Sequence, residues 1–136
     1  MTVVLDASAA VHVISATRPD PRLMALVATE DLFAPHLVDF EVASAIRGLV
    51  MGSRIDVTTA ATALEDWLDL EVTRVPGSDL LHGIFDLRAN FTVYDAAYVE
   101  LARWLDVPLV TSDGKLAGAA RHGVDVQVFR NASRTD

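Results

Sequence analysis

Thr92-Val-Tyr-Asp95-Ala-Ala-Tyr98-Val-Glu-Leu-Ala-Arg-Trp-Leu-Asp106-Val-Pro108-Leu-Val-Thr111-Ser-Asp113-Gly-Lys115-Leu116 reads as a helix, a tight turn, a short apolar strand and the start of another helix. Asp95 falls near the start of the helix and Asp113 just past the end of the strand. Carboxylates at those two places can point into one cleft, provided the rest of the chain builds a layered domain around them.

Working outward, strand and helix patterns alternate. A β-branched apolar run at 2–5 suits a buried strand and is followed by Asp6-Ala-Ser8 and an apolar helix over 9–16. Arg18-Pro-Asp-Pro21 breaks it, and Pro21 opens a short helix to about residue 28. A strand is expected at 32–34. A helix over 38–51, closed by Gly52, places Val38, Val42, Ala45, Ile46 and Leu49 on one face. Thr58 or Thr59 caps the next helix, to about residue 69, with Ala63, Leu64, Trp67 and Leu68 as its apolar side. A strand at 71–75 precedes Pro76-Gly77, and Ser78 or Asp79 caps a helix to about residue 89. Beyond the opening stretch, a helix over 113–123 and a strand at 125–129 finish a single domain spanning 1–130, and a polar tail at 131–136 is expected to fray. Short apolar strands alternating with helices imply an α/β domain in three layers, α/β/α, with a mainly parallel central sheet of about five short strands. Ligands of such sheets sit at the carboxyl ends of the strands.

The chain has 136 residues, enough for one core, and 51% are apolar. It has no cysteine, which excludes disulfides, thiolate metal sites and a cysteine nucleophile. No apolar run reaches the roughly 20 residues of a membrane span, and the start lacks the basic and apolar regions of a signal peptide. The expectation is a cytoplasmic protein without a membrane partner. Ten of the eleven basic residues are arginine, and the formal net charge is −8. That balance argues against a protein that coats itself in nucleic acid by charge alone. An enzyme that approaches phosphate through bound cations remains compatible with it.

Four acids stand out. Asp6 and Asp113 each follow a strand and precede a helix, where a carboxylate also serves as a cap for orphan backbone N–H groups. Thr92 to Asp95 has capping-box spacing, with an acid in place of Glu or Gln. Glu41 is the one acid that no cap explains. It lies beside an apolar stripe, where a carboxylate is costly unless paired or bound to metal, and Arg47 is too far around the helix to pair with it. Four carboxylates from four elements repel one another and need cations to stay ionised. An all-oxygen set suits Mg²⁺ or Mn²⁺. His12, His36, His82 and His122 show no zinc spacing and read as surface or packing residues.

With these positions in view the chain resembles the PIN-domain ribonucleases, of the VapC type found in bacterial type II toxin–antitoxin pairs. The resemblance rests on Val-Val-Leu-Asp6-Ala-Ser8-Ala, Glu41-Val-Ala-Ser-Ala-Ile-Arg47, Tyr94-Asp95-Ala-Ala-Tyr98-Val-Glu-Leu-Ala and Thr111-Ser-Asp113-Gly-Lys-Leu116. It implies an endoribonuclease dependent on Mg²⁺, with Mn²⁺ able to substitute, whose acidic centre is Asp6, Glu41, Asp95 and Asp113. It further implies supporting hydroxyls at Ser8 and Thr111, a homodimer, a larger toxin–antitoxin assembly, and a cognate VapB-type antitoxin whose C-terminal segment occupies the cleft. Many relatives carry Asn where this chain has Ser44, which implies tuning of the site and not its loss. Arg18, Arg22, Arg47 and Arg88 are candidates for gripping RNA phosphate, though a solvated arginine is the simpler reading of each.

Two other classes compete. A catalytically silent PIN-like module would bind its partner only, and a missing acid would mark it; none is missing. An aspartate-phosphorylated receiver needs paired acids after the first strand and a lysine after a late one. Here Asp6 stands alone and the sole lysine, Lys115, lies two residues beyond an acid.

Overall fold

The computed structural model describes residues 1–130; the polar tail expected to fray at 131–136 lies outside the described residues. Five parallel strands form one sheet: β1 (Thr2–Leu5), β2 (Asp31–Pro35), β3 (Val72–Val75), β4 (Leu109–Thr111) and β5 (Val126–Val128), in the order β3-β2-β1-β4-β5. The helices are α1 (Ala7–Ser15), α2 (Pro21–Thr29), α3 (Val38–Met51), α4 (Val57–Asp69), α5 (Leu81–Asp86) and α6 (Val93–Leu105). One helical group joins α1 to α2, α3 and α4. A second joins α5 to α6, and α6 lies on β1, β2 and β4. Because both faces are covered, Val3, Val4 and Leu5 of β1 are all fully buried, the expected result of a continuous apolar run in a parallel sheet.

The strand order explains where a ligand belongs. The chain moves outward from β1 through β2 to β3, then returns to the other side of β1 for β4 and β5. The order reverses between β1 and β4, and the carboxyl edge at such a reversal is where open α/β sheets form their crevices. Asp6 follows β1 there, and Asp113 follows β4.

Helix ends follow local chemistry. Asp6 caps α1, which therefore starts at Ala7, two residues before the expected boundary. Asp56, not Thr58 or Thr59, caps α4: its Oδ1 accepts the Thr59 N–H at 2.7 Å. The helix expected up to residue 89 is a 3₁₀ turn, Gly77–Leu80, followed by the short α5. Gly83 inside α5 lets the Glu100 carboxylate of α6 lie against the helix, where a Cβ would overlap it. The segment expected to be a helix after Asp113 is wound as 3₁₀ turns over Gly114–His122. Leu116 and Ala119 are its buried side chains, and their spacing of three matches three residues per turn.

Asp39 ties the edge of the fold together. Its Oδ1 accepts from the Trp67 indole N–H of α4 at 2.8 Å, and Arg74 of β3 donates to both of its oxygens at 2.7 and 2.8 Å. The Arg74 guanidinium holds the Asp39 carboxyl below its ordinary range, with the Trp67 N–H adding to that. Asp39→Ala leaves the buried indole N–H without an acceptor. It is expected to destabilise the fold by about 1–2 kcal/mol, with a smaller loss in Asp39→Asn. Urea denaturation checks both values, and wild-type stability in the alanine variant would show that the clamp contributes nothing.

Candidate active site

Asp6, Glu41, Asp95 and Asp113 all line one cavity of about 620 Å³, together with Tyr98 and Lys115. It opens at the carboxyl edge of the sheet. A larger hollow of about 870 Å³ lies at the opposite, amino edge, beside Thr2, Asp31 and Val72, away from the strand-order reversal.

Asp6 is the most constrained of the four. Its Oδ1 accepts from the Ala9 N–H at 2.9 Å and the Ser8 hydroxyl at 2.8 Å, and its Oδ2 accepts from the Thr111 hydroxyl at 2.7 Å. Those two hydroxyls also accept backbone N–H groups. Ser112 donates to Ser8 at 3.0 Å, and Asp113 to Thr111 at 2.9 Å. The turn that carries Asp113 is thus hung from the same hydroxyls that hold Asp6. Burial pushes the Asp6 carboxyl up to about 6 despite these donors, and the charge of Asp113 pushes in the same direction.

Glu41 accepts from the Tyr98 hydroxyl at 2.6 Å, across from α6 to α3. Its partner is a buried phenol and not an arginine. Burial raises the Glu41 carboxyl, opposed by that hydrogen bond, and the Asp95 charge raises it further. Burial also raises the Tyr98 hydroxyl, so Tyr98 stays a donor. At Asp95 the capping box is half made: the Asp95 N–H donates to Thr92 Oγ1 at 3.1 Å, while the carboxylate reaches Lys115 instead. Asp113 both caps, with Oδ1 accepting the Lys115 N–H at 3.0 Å, and faces the cleft.

Lys115 is the cation of this cavity. Its Nζ lies 3.5 Å from Asp95 Oδ2 and 3.4 Å from Asp113 Oδ2. The two carboxylates, Asp95 first, raise its ammonium above the usual range. None of the four candidate arginines lines the cavity. Arg22 is paired with Asp20 at 2.9 Å, and Arg88 donates to the Phe85 carbonyl at 3.1 Å. Arg18 and Arg47 are exposed. Ser44 is exposed as well, and Ala45 and Leu49 take the cavity-lining places on its helix. His12 lines the wall, but its Nε2 accepts the Asp20 N–H at 3.0 Å, which commits that lone pair. Tyr98 and Lys115 are the site residues that sequence reasoning missed. The signal for Lys115 was its being the sole lysine, set two residues from Asp113.

Among the described residues, no three His, Asp or Glu side chains are placed to grip one ion. The donor set still fits a hard divalent cation. Mg²⁺ commonly takes one or two carboxylates and completes its shell with water and phosphate oxygen. Asp95 and Asp113 already share one positive charge, the Lys115 ammonium.

The Asp6 shift has a measurable consequence. The folded carboxyl holds its proton up to about pH 6, above the ordinary value of 3.8. Its contribution to stability is therefore full below that ordinary value and is lost as pH rises through about 6. In EDTA the melting temperature is expected to rise as pH falls from about 7 to about 5, and Asp6→Asn is expected to flatten most of that rise. Glu41, shifted the same way, supplies the remainder. A wild-type curve already flat over this window would contradict the assignment.

Comparison with known proteins agrees with this architecture. The family model described as "PIN domain" matches residues 3–122. The VapC ribonuclease Mb0985 of Mycobacterium bovis is 43% identical over 115 residues, which is 85% of this chain and 88% of that protein. Among solved structures, PAE2754 from Pyrobaculum aerophilum aligns with a TM-score of 0.68 at 23% identity, covering 93% of this chain and 83% of that one. VapBC2 from Rickettsia felis, bound to a DNA fragment from its promoter, aligns with a TM-score of 0.67 at 14% identity, covering 94% and 98%. These structures share the fold, and the family match over most of the chain decides the rest: this chain belongs to the PIN-domain family and stands with its VapC ribonucleases.

Proposed function

We propose that the chain is the toxin of a type II toxin–antitoxin pair, a cytoplasmic endoribonuclease that hydrolyses RNA phosphodiester bonds with a divalent cation, Mg²⁺ or Mn²⁺. The observation that carries this reading is the opening of Asp6, Glu41, Asp95 and Asp113, from four separate elements, onto one cavity. Residues 1–130 act in it as one nuclease domain. A bound divalent ion supplies a water of lowered pKa and neutralises charge at the phosphate. Asp95 and Asp113 are the ligands best placed to hold it, because they already share a cation.

The protein's own groups divide the remaining work. Asp6 is locked by Ser8, Thr111 and the Ala9 amide, so its carboxylate keeps one orientation. Glu41 is oriented by Tyr98 and leaves its second oxygen for a water of the cleft. No imidazole is free to act as base, since His12 is committed to the Asp20 amide. Water in line with the scissile bond is therefore oriented by carboxylate, and attack at phosphorus leaves a 5′-phosphate and a 3′-hydroxyl. The net charge of −8 is offset locally where the cation sits.

Partners follow from the same reading. The VapBC2 structure is of a toxin–antitoxin pair, and a VapB-type antitoxin with a basic segment suits an acidic cleft of this kind. A homodimer is the expected assembly. Among the described residues no helix is long and apolar enough to cross a membrane.

RNA cleavage is expected to need Mg²⁺ or Mn²⁺, to stop in EDTA, and to fall by at least about 100-fold in Asp95→Asn and in Glu41→Gln, with both variants folded by circular dichroism. Ser8→Ala and Thr111→Val are expected to lose about 10- to 100-fold through misorientation of Asp6. Cleavage that survives EDTA and both acid substitutions would favour the silent, partner-binding module.

A further inference from the structure

Lys115 lines two chambers. One is the acidic cavity. The other is an adjoining hollow of about 200 Å³ lined by Asn90, Phe91, Lys115, Gly118, Arg121 and His122. No acid lines the second chamber, although the chain as a whole carries −8. Arg121 is exposed and makes no ion pair among the described residues. Phe91 and His122 form an edge-on ring pair with centroids 5.5 Å apart, and Asn90 Nδ2 stands 3.5 Å from His122 Nε2. The hollow thus joins cationic side chains, an amide and a half-buried aromatic pair. That combination suits a nucleotide of a single strand, with the phosphate met by charge and the base by the rings.

The lysine connects the chambers physically. Its side chain is 62% exposed and holds Asp95 and Asp113 at 3.5 and 3.4 Å, which are loose contacts. An exposed ion pair of this kind is weak, and a four-carbon stem turns freely. A divalent ion between the same two carboxylates repels the ammonium at that range. The nearest wall free of other cations' partners is the hollow that Lys115 already lines.

We propose that the hollow beside the acidic cavity is the subsite for the RNA nucleotide flanking the scissile bond, and that Lys115 couples it to metal loading: the ammonium neutralises Asp95 and Asp113 in the metal-free protein and moves to the flanking phosphate, beside Arg121, when a divalent ion takes its place. This rests on the nuclease reading above. Metal and RNA then each favour the binding of the other, as linkage requires.

The test measures binding, using the whole chain, Mg²⁺ titrated by calorimetry, and a fluorescein-labelled single-stranded phosphorothioate RNA followed by anisotropy. Lys115→Ala is expected to tighten Mg²⁺ binding about two- to fivefold, while Lys115→Arg, which keeps the charge, stays near wild type. Mg²⁺ is expected to strengthen RNA binding by wild type about fivefold or more, and Lys115→Ala to lose that gain. Arg121→Ala is expected to weaken RNA binding and to reduce the slope of log affinity against log salt by about 1, with Mg²⁺ binding unchanged. An unchanged Mg²⁺ constant in Lys115→Ala, or wild-type RNA affinity and salt slope in Arg121→Ala, overturns the proposal. If wild type cleaves RNA with Mg²⁺ yet either of those results appears, only this inference falls. If wild type neither binds Mg²⁺ nor cleaves RNA, the nuclease reading falls and takes the inference with it.

Discussion

A buried carboxylate is the constraint around which this molecule is arranged. Asp6 is 4% exposed, at the end of the central strand, and the cost of removing it from water is what raises its pKa. Three donors offset part of that cost: one amide from α1 and two hydroxyls, one of them from β4. Both hydroxyls then accept amides of the turn after β4, so that turn inherits its position from Asp6. Asp113 and Lys115 sit on or beside this turn, and Asp95 reaches it through the lysine. The site is therefore built outward from one residue, and Glu41 joins by a separate strut through Tyr98.

Positive charge is distributed with a similar division. Arg74 is committed to Asp39 and Arg22 to Asp20, where they hold loops and edges of the fold. Arg130 lies with its guanidinium against Gly114, a close approach that a Cβ at that position would obstruct. The cations left near the cleft come from the segment after β4, on the same side as the acids. In an acidic protein this concentrates the attraction for phosphate at one corner of the sheet.

The strands, α3 and α6 were legible from sequence because their signals are local: apolar runs, helical spacing and the Thr92 cap. The four acids were legible because three sit at element ends and Glu41 lies where no cap accounts for it. What escaped was set by packing. The run after Asp113 winds as 3₁₀ turns because Gly114 and Gly118 weaken an α-helix and only Leu116 and Ala119 reach the core. Asp56 was passed over for the threonines beside it, although a carboxylate three residues before Thr59 has the spacing of a cap. Tyr98 finds Glu41 across 57 residues, a meeting that no local pattern announces. The arginines chosen for phosphate were judged by charge alone. Their partners and their distance from the cleft depend on tertiary contacts.

The double use of Asp113, as cap and as cleft acid, bears on how such a protein ages. Asparagine caps as well as aspartate does, and it can accept the same Lys115 amide. At Asp6 an amide would escape the desolvation that the carboxylate suffers. In each codon a single base change converts Asp to Asn. The drift from a working enzyme to a well-folded, inert relative therefore runs downhill in stability and is one nucleotide long, so folding alone exerts no pull to keep these charges. Only continued use of the cleft holds them in place.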